Sequence, residues 1–171
     1  MPDEQRAAAR AAIRQAVLRR CRELTLPPDA TVAAYQPLRT EPGSVELLAG
    51  LAHARCRVIV PVTLADRDLD WTRWPASDLP SDLLGVAEVG RADLVLVPAF
   101  AVDRAGRRLG RGGGSYDRAL ARVRSGVPVA ALLYRPELVD RVPVDPWDQP
   151  VTAVVTPDGW QDLTPTGRGN S

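Results

Sequence analysis

Gly106-Arg107-Arg108-Leu109-Gly110-Arg111-Gly112-Gly113-Gly114-Ser115-Tyr116-Asp117-Arg118 is the stretch on which the reading of this chain turns. Four of the five residues from Gly110 to Gly114 are glycine, and the fifth is arginine. Immediately before it, Asp93-Leu94-Val95-Leu96-Val97-Pro98 is a short apolar run bounded by a breaker, the pattern of a buried strand. Immediately after it, Ala119-Leu120-Ala121-Arg122-Val123 continues as a helix, about to Arg124. Strand, glycine loop and helix start together form an anion trap. Glycines let backbone amides approach a phosphate closely, and a first helical turn adds unpaired N–H groups with partial positive charge. Arg108 and Arg111 can add fork-shaped, charge-assisted hydrogen bonds to phosphate oxygens.

The familiar glycine loops do not fit. No Gly-Lys-Ser/Thr ends the run, so it is not a Walker loop. Ser115 stands where the dinucleotide fingerprint needs its third glycine or alanine. A bare glycine run is as readily a flexible surface loop. The tail Ser-Tyr-Asp-Arg changes that balance. The stretch resembles the signature of the 5-formyltetrahydrofolate cyclo-ligase (methenyltetrahydrofolate synthetase) family, Asp-x-x-Gly-x-Arg-Leu-Gly-x-Gly-x-Gly-Tyr-Tyr-Asp-Arg. Asp103, Gly106, Arg108, Leu109, Gly110, Gly112, Gly114, Tyr116, Asp117 and Arg118 match in register. Ser115 departs, standing in place of the first tyrosine.

Composition sets the outer bounds. At 171 residues, 45% hydrophobic and 25% charged, the chain is expected to be one globular domain that needs no staples. A formal net charge of +1 gives no polyelectrolyte field, which argues against a nucleic-acid partner. Cys21 and Cys56 are too few for a disulfide framework, and no Cys/His cluster offers a zinc site. His53 is the only histidine. No signal peptide or membrane-length apolar run is apparent, so a cytoplasmic monomer acting on small molecules, without membrane contact, is expected. The domain is expected to span residues 1–157, with a loose tail over 158–171.

Outward from the loop, helices and strands alternate. Asp3 to about Leu24 reads as an amphipathic helix with Ile13, Val17, Leu18, Cys21 and Leu24 inward, ended by Pro27-Pro28. Its other face carries Arg6, Arg10, Arg14, Arg19 and Arg20, usually a solvated face. Thr31–Tyr35 is a strand. Ser44–Ala54 is a helix capped by Ser44, with Val45, Leu48, Leu51 and Ala52 inward. Arg57–Pro61 is a second strand. Residues 62–90 resist assignment. Trp71 and Trp74 suggest a hairpin or a loop over a cleft, where they wall a pocket or stack on the outside of the sheet. Pro128–Tyr134 is a strand, Pro136–Asp140 a short helix and Ala153–Thr156 the last strand. This order predicts an α/β fold: a single three-layer domain with a mainly parallel sheet of five or six strands flanked by helices. The resemblance implies the arrangement of the ribose-phosphate isomerase and CoA-transferase superfamily.

The resemblance also implies a reaction. ATP phosphorylates the formyl oxygen of 5-formyltetrahydrofolate, N10 closes the ring, and 5,10-methenyltetrahydrofolate, ADP and phosphate result. It places Arg10, Arg14 and Arg108 to Tyr116 (Leu109, Gly110, Arg111, Gly112, Gly113, Gly114 and Ser115 between them) at ATP. Gln36, Glu41, Arg111 and Gly112 to Ser115 fall at the folate. Arg111, Tyr116 and Asp117 fall at the reacting groups, and Asp117 and Asp148 at a Mg²⁺ ion. Arg10 replaces the usual lysine, Trp147 the usual histidine before Asp148, and Glu88-Val89 the usual Glu-Pro. Arg118 is better suited to ordering the loop than to chemistry. On residues alone, Asp117 could equally serve the helix dipole, and Glu41 be an exposed loop acid. A nucleotide-binding relative without cyclase activity stays open, as more remotely does an Arg-Gly nucleic-acid binder.

Overall fold

The computed structural model describes residues 1–164. The chain order is α1 (Asp3–Glu23), β1 (Thr31–Ala33), α2 (Val45–His53), β2 (Arg57–Thr63), β3 (Leu69–Arg73), β4 (Leu94–Pro98), β5 (Ala101–Asp103), β6 (Arg108–Leu109), α3 (Ser115–Ala121), β7 (Val129–Leu132), β8 (Leu138–Val139), β9 (Ala153–Thr156) and β10 (Gly159–Asp162). The main sheet runs β10-β9-β7-β4-β1-β2-β3. Its five inner strands pair in parallel, while β3 and β10 are antiparallel at the two edges. A small sheet, β6-β5-β8, stands beside it. The expected α/β domain with a mainly parallel sheet is what the chain forms, with seven strands in place of the expected five or six, and with β5 and β6 of a separate small sheet inserted between the central strand β4 and the glycine run.

Inner strands that read as unbroken apolar runs sort by period two onto opposite faces, because alternate Cβ atoms leave a strand in opposite directions. Val32, Val58, Val60, Leu94, Leu96, Ala130, Leu132 and Val155 share one core with Ile13, Val17 and Cys21 of α1 and Leu47, Leu48 and Leu51 of α2. Ala33, Ile59, Val95, Val97, Val129, Ala131 and Val154 join Ala119 and Leu120 of α3 on the other face. Ser44 caps α2 as expected, its hydroxyl accepting the Leu47 amide at 3.1 Å.

Several expectations need correction. Val45 is exposed and Ala52 lies outside, while Leu47 takes the inward position. Residues 62–90 do contain a hairpin, β2–β3, but Trp71 walls no pocket: it is fully buried in the second core. Trp74 packs, partly buried, against the first. Pro136–Asp140 is not a helix; a single 3-10 turn over Arg135–Glu137 leads into β8, which pairs with β5. Residues 159–162 are not loose either. They form β10, paired with β9, with Trp160 under the Arg20 guanidinium at 5.5 Å and Asp162 accepting from Arg20 at 3.1 Å. The glycine, aspartate and polar composition that suggested a tail is that of an edge strand with one wet face. The expected tail's last residues, 165–171, lie outside the described part.

Candidate active site

The glycine stretch begins on a rigid turn. Asp103, 2% exposed, accepts the amides of Ala105, Arg107 and Val142, each at 3.0 Å. Gly106 has φ +81°, and a Cβ there would overlap the Val151 carbonyl oxygen. Glycine is therefore required by both backbone and space. The turn sends β6 back along β5. It delivers Arg108 into the interior with its side chain only 6% exposed. Gly112, Gly113 and Gly114 follow with φ of +88°, +88° and +71°, and Ser115 starts α3.

A cavity of 1260 Å³ opens above this loop. Of the residues singled out in the sequence, Glu41, Arg108, Leu109, Gly110, Arg111, Gly112, Gly113, Gly114, Ser115, Tyr116, Asp117 and Asp148 line it. They come from the β1–α2 connection, from the glycine loop and α3, and from the segment before β9. Three others do not reach its wall. Arg10 turns its guanidinium onto the loop carbonyls, Nε donating to Glu41 O at 3.0 Å and Nη2 to Arg39 O. Arg14, one turn on, is half-exposed with no hydrogen-bond acceptor among the described residues. Gln36 is exposed.

Arg108 is the electrostatic centre of the floor. Its Nη1 donates to Pro98 O at 3.3 Å, Nη2 lies 3.8 Å from Asp117, and the guanidinium stands 5.4 Å over the Tyr116 ring. Its Nε, fully enclosed, has no partner among the described residues. Burial lowers its pKa, against the opposing charges of Asp117 and Asp148. An arginine stays protonated regardless, so the interior holds a cation that only partly finds its anions.

Asp117 lies in the first turn of α3, where the helix dipole favours an acid, and one of its carboxylate oxygens accepts the Gln149 amide at 3.0 Å. Asp148 accepts the Asp145 amide at 2.8 Å through one oxygen. Both carboxylates thus keep capacity toward the cavity, since each has about four acceptor positions.

On the opposite wall Glu41 takes the Leu38 amide at 2.6 Å and lies 3.5 Å from Arg111. The Glu41 carbonyl is held by Arg10 and by Tyr134 Oη at 3.0 Å. Burial pushes the Tyr35 and Tyr116 phenols up, so both stay neutral donors. Sequence reading missed Glu137 and Phe100. Glu137 lines the cavity with its pKa raised by burial. Phe100 stands 55% exposed at the rim, with Arg111 5.8 Å from its ring. An aromatic two residues past Pro98, at the end of the central strand, was the available signal for Phe100. Glu137 carried none.

The chain is thus a mainly parallel α/β domain whose glycine loop, with Arg108, Asp117 and Asp148, lines one cavity. Comparison with known proteins narrows this. The model of the 5-formyltetrahydrofolate cyclo-ligase family matches residues 1–157. A 5-formyltetrahydrofolate cyclo-ligase of Mycolicibacterium smegmatis is 39% identical over 142 residues, covering 74% of this chain and 73% of the relative. Among solved structures, the 5,10-methenyltetrahydrofolate synthetase of Mycoplasma pneumoniae superposes with TM-score 0.75 at 19% identity, covering 92% of this chain and 90% of that one. That of Aquifex aeolicus gives TM-score 0.67 at 25% identity, covering 100% and 89%. The chain belongs to the 5-formyltetrahydrofolate cyclo-ligase family.

Proposed function

We propose that this protein converts 5-formyltetrahydrofolate and ATP to 5,10-methenyltetrahydrofolate, ADP and phosphate in the cavity above the glycine loop. One observation carries the reading beyond family membership. A single 1260 Å³ space is bounded by phosphate-directed groups on one side, Arg108, the Gly110–Gly114 backbone and Asp117, and by Glu41 with Arg111 on the other. It can hold two substrates facing each other across Tyr116. Such volume exceeds what one drug-sized ligand needs.

The formyl oxygen attacks the terminal phosphorus, and the bond to the bridging oxygen of ADP breaks. The carbon, now bonded to N5 and to a phosphorylated oxygen, is electrophilic. N10 attacks it and loses its proton, and phosphate leaves with the carbon–oxygen bond pair. Phosphoryl transfer asks mainly for position and charge neutralisation. Arg108, itself nearly shielded from water, would neutralise the charge that accumulates on the departing and transferring groups. Arg111 spans the two substrates, reaching Glu41 and, across the loop, the phosphates. Glu41, anchored at both its carboxylate and its carbonyl, accepts donors of the folate, with Gln36 on the same connection. Arg14, off the cavity wall and without a partner among the described residues, is left to meet whatever part of the nucleotide extends past the wall toward α1, and Arg10 fixes the Glu41 connection from the same helix.

Among the described residues no three His, Cys, Asp or Glu side chains form an all-protein metal cage. Mg²⁺ does not need one, since it binds through one or two carboxylates, waters and phosphate oxygens. Asp117 and Asp148, both on the cavity wall, fit that donor set. Bound there, Mg²⁺ would neutralise phosphate charge and order the triphosphate.

The test is growth of the near-ultraviolet absorbance of the methenyl product. Product should form with ATP and Mg²⁺ present and fail to form without ATP. Tight ATP binding with no product at any folate concentration would overturn the assignment.

A further inference from the structure

One arginine beside the glycine loop, off the cavity wall, takes no part in the reaction as proposed. The turn of the β2–β3 hairpin overhangs the glycine loop, and the strand residues at its base, Thr63 and Leu69, pair with each other and line the cavity. Two arginines of the α3 segment clip this turn in place. Arg118 donates from Nη1 to the Asp66 carbonyl at 3.0 Å and from Nη2 to the Gly113 carbonyl at 3.2 Å. Arg122 grips the Asp68 carboxylate with both terminal nitrogens, at 2.7 and 2.6 Å. Asp66 is engaged too, accepting the Asp68 amide at 3.0 Å. Between these two fixed residues lies Arg67.

Arg67 is in the left-handed region at φ +67°, where a side chain other than glycine is disfavoured. This conformation, held by the Arg67 amide on Leu64 O at 2.9 Å, sends the side chain across to the loop. A Cβ on Gly113 would lie 3.4 Å from both Arg67 Cδ and Nη1. Yet the guanidinium donates to no carboxylate or carbonyl among the described residues, and it is exposed. The Asp68 carboxylate is taken by Arg122, the Asp66 carboxylate accepts the Asp68 amide, and Arg118 is committed to two carbonyls. A rigid clip thus presents one unpaired cation to the middle of a glycine loop.

We propose that Arg67 is a phosphate contact for the nucleotide, delivered from the hairpin to the face of the glycine loop at Gly113. This rests on the nucleotide reading of the cavity. The contact is a positioning one: a fork-shaped guanidinium closes on phosphate oxygens from the side facing away from Arg108. The same cation could instead take a carboxylate of the folate's glutamate tail, and the experiment separates the two anions.

The probe is a non-hydrolysable ATP analogue with Mg²⁺, titrated calorimetrically into full-length protein, so the readout does not depend on turnover. Arg67→Asn tolerates the left-handed backbone and should weaken the analogue about tenfold, the scale of one exposed hydrogen bond to a charged group. Its melting temperature should hold, because no described partner is lost. Arg67→Lys should recover part of the affinity. Arg55→Asn is the control, an exposed arginine with φ +63° just before the other end of β2, and should change nothing. Unchanged analogue affinity in folded Arg67→Asn overturns the proposal. So does a variant whose only defect is a raised KM for polyglutamylated, but not monoglutamylated, 5-formyltetrahydrofolate. Wild-type protein that binds the analogue but forms no product overturns the cyclo-ligase reading while leaving Arg67 to be judged on binding. Failure of wild type to bind the analogue overturns both.

Discussion

The arginines of α1 and those of the glycine stretch look equivalent in sequence, yet they have different fates. Arg10, Arg14 and Arg20 sit on one long helix. Arg10 is bound to backbone carbonyls, Arg20 to Trp160 and Asp162, and Arg14 is left half-exposed. Arg108 is nearly sealed in the cavity floor, facing Asp117 and Tyr116. The difference lies in what holds each one. A helix presents its side chains to whatever lies alongside it. The Asp103 turn forces Arg108 inward through three backbone amides and a glycine that tolerates no Cβ. Charge near a site therefore counts for less than charge that the backbone has already desolvated, since Coulombic strength grows as water is excluded.

The largest effects should come from the sealed side. Arg108→Met preserves most of the volume and removes the cation facing Asp117 and Asp148. Turnover should fall at least about a hundredfold, equivalent to about 2.7 kcal/mol of transition-state stabilisation, measured as initial rate of methenyl formation. Asp117→Asn should cause a comparable loss together with a raised Mg²⁺ requirement. Melting should shift by no more than about 1 kcal/mol, because the asparagine oxygen still accepts the Gln149 amide. Wild-type Mg²⁺ dependence in that variant would assign Asp117 to holding the loop.

Intermediate effects belong to α1, and they should divide between substrates. Arg14→Ala should weaken ATP about tenfold with the folate KM unchanged, as loss of one half-exposed charged hydrogen bond. Arg10→Ala frees the Glu41 connection and should raise the folate KM several-fold while ATP affinity holds. A shared effect of both variants on ATP would erase the proposed distinction between Arg10 and Arg14.

The smallest effect concerns the hairpin clip. Pairing with Arg122 holds the Asp68 carboxyl down at about 2. Because the folded pKa lies below the unfolded one, near 3.9, this stabilisation is present above that value and lost as pH falls toward 2. Asp68→Asn should lower stability by less than about 1 kcal/mol at neutral pH, as expected for a partly exposed pair. It should also flatten the acid limb of the unfolding curve between about pH 4 and pH 2. An unaltered acid limb would assign the transition to other carboxylates.

What could be read from sequence follows the same division. The helix start after Gly110–Gly114, the Ser44 cap and the parallel core were legible because local backbone rules determine them, whereas the β5–β6 hairpin between β4 and the loop was not read, its strands being only three and two residues long. Asp103 was legible as a match and not as a mechanism, because its amide partners include Val142, far along the chain. Glu137 was hidden because only the pairing of β8 with β5 brings it to the cavity. β10 was misread because an edge strand needs only one apolar face, and Trp160 supplies it against α1. Apart from the resemblance, Arg10 was read only as part of a polar helix face, and face alone does not specify that the Arg39 and Glu41 carbonyls would take it.

The most direct measurement follows the oxygen. With 5-formyltetrahydrofolate carrying ¹⁸O in the formyl group, ATP and Mg²⁺, the label should appear in inorganic phosphate, one atom for each methenyl product. Both should vanish together in Arg108→Met. Methenyl formation with unlabelled phosphate, or equal label transfer in the variant, would contradict phosphorylation of the formyl oxygen in this cavity.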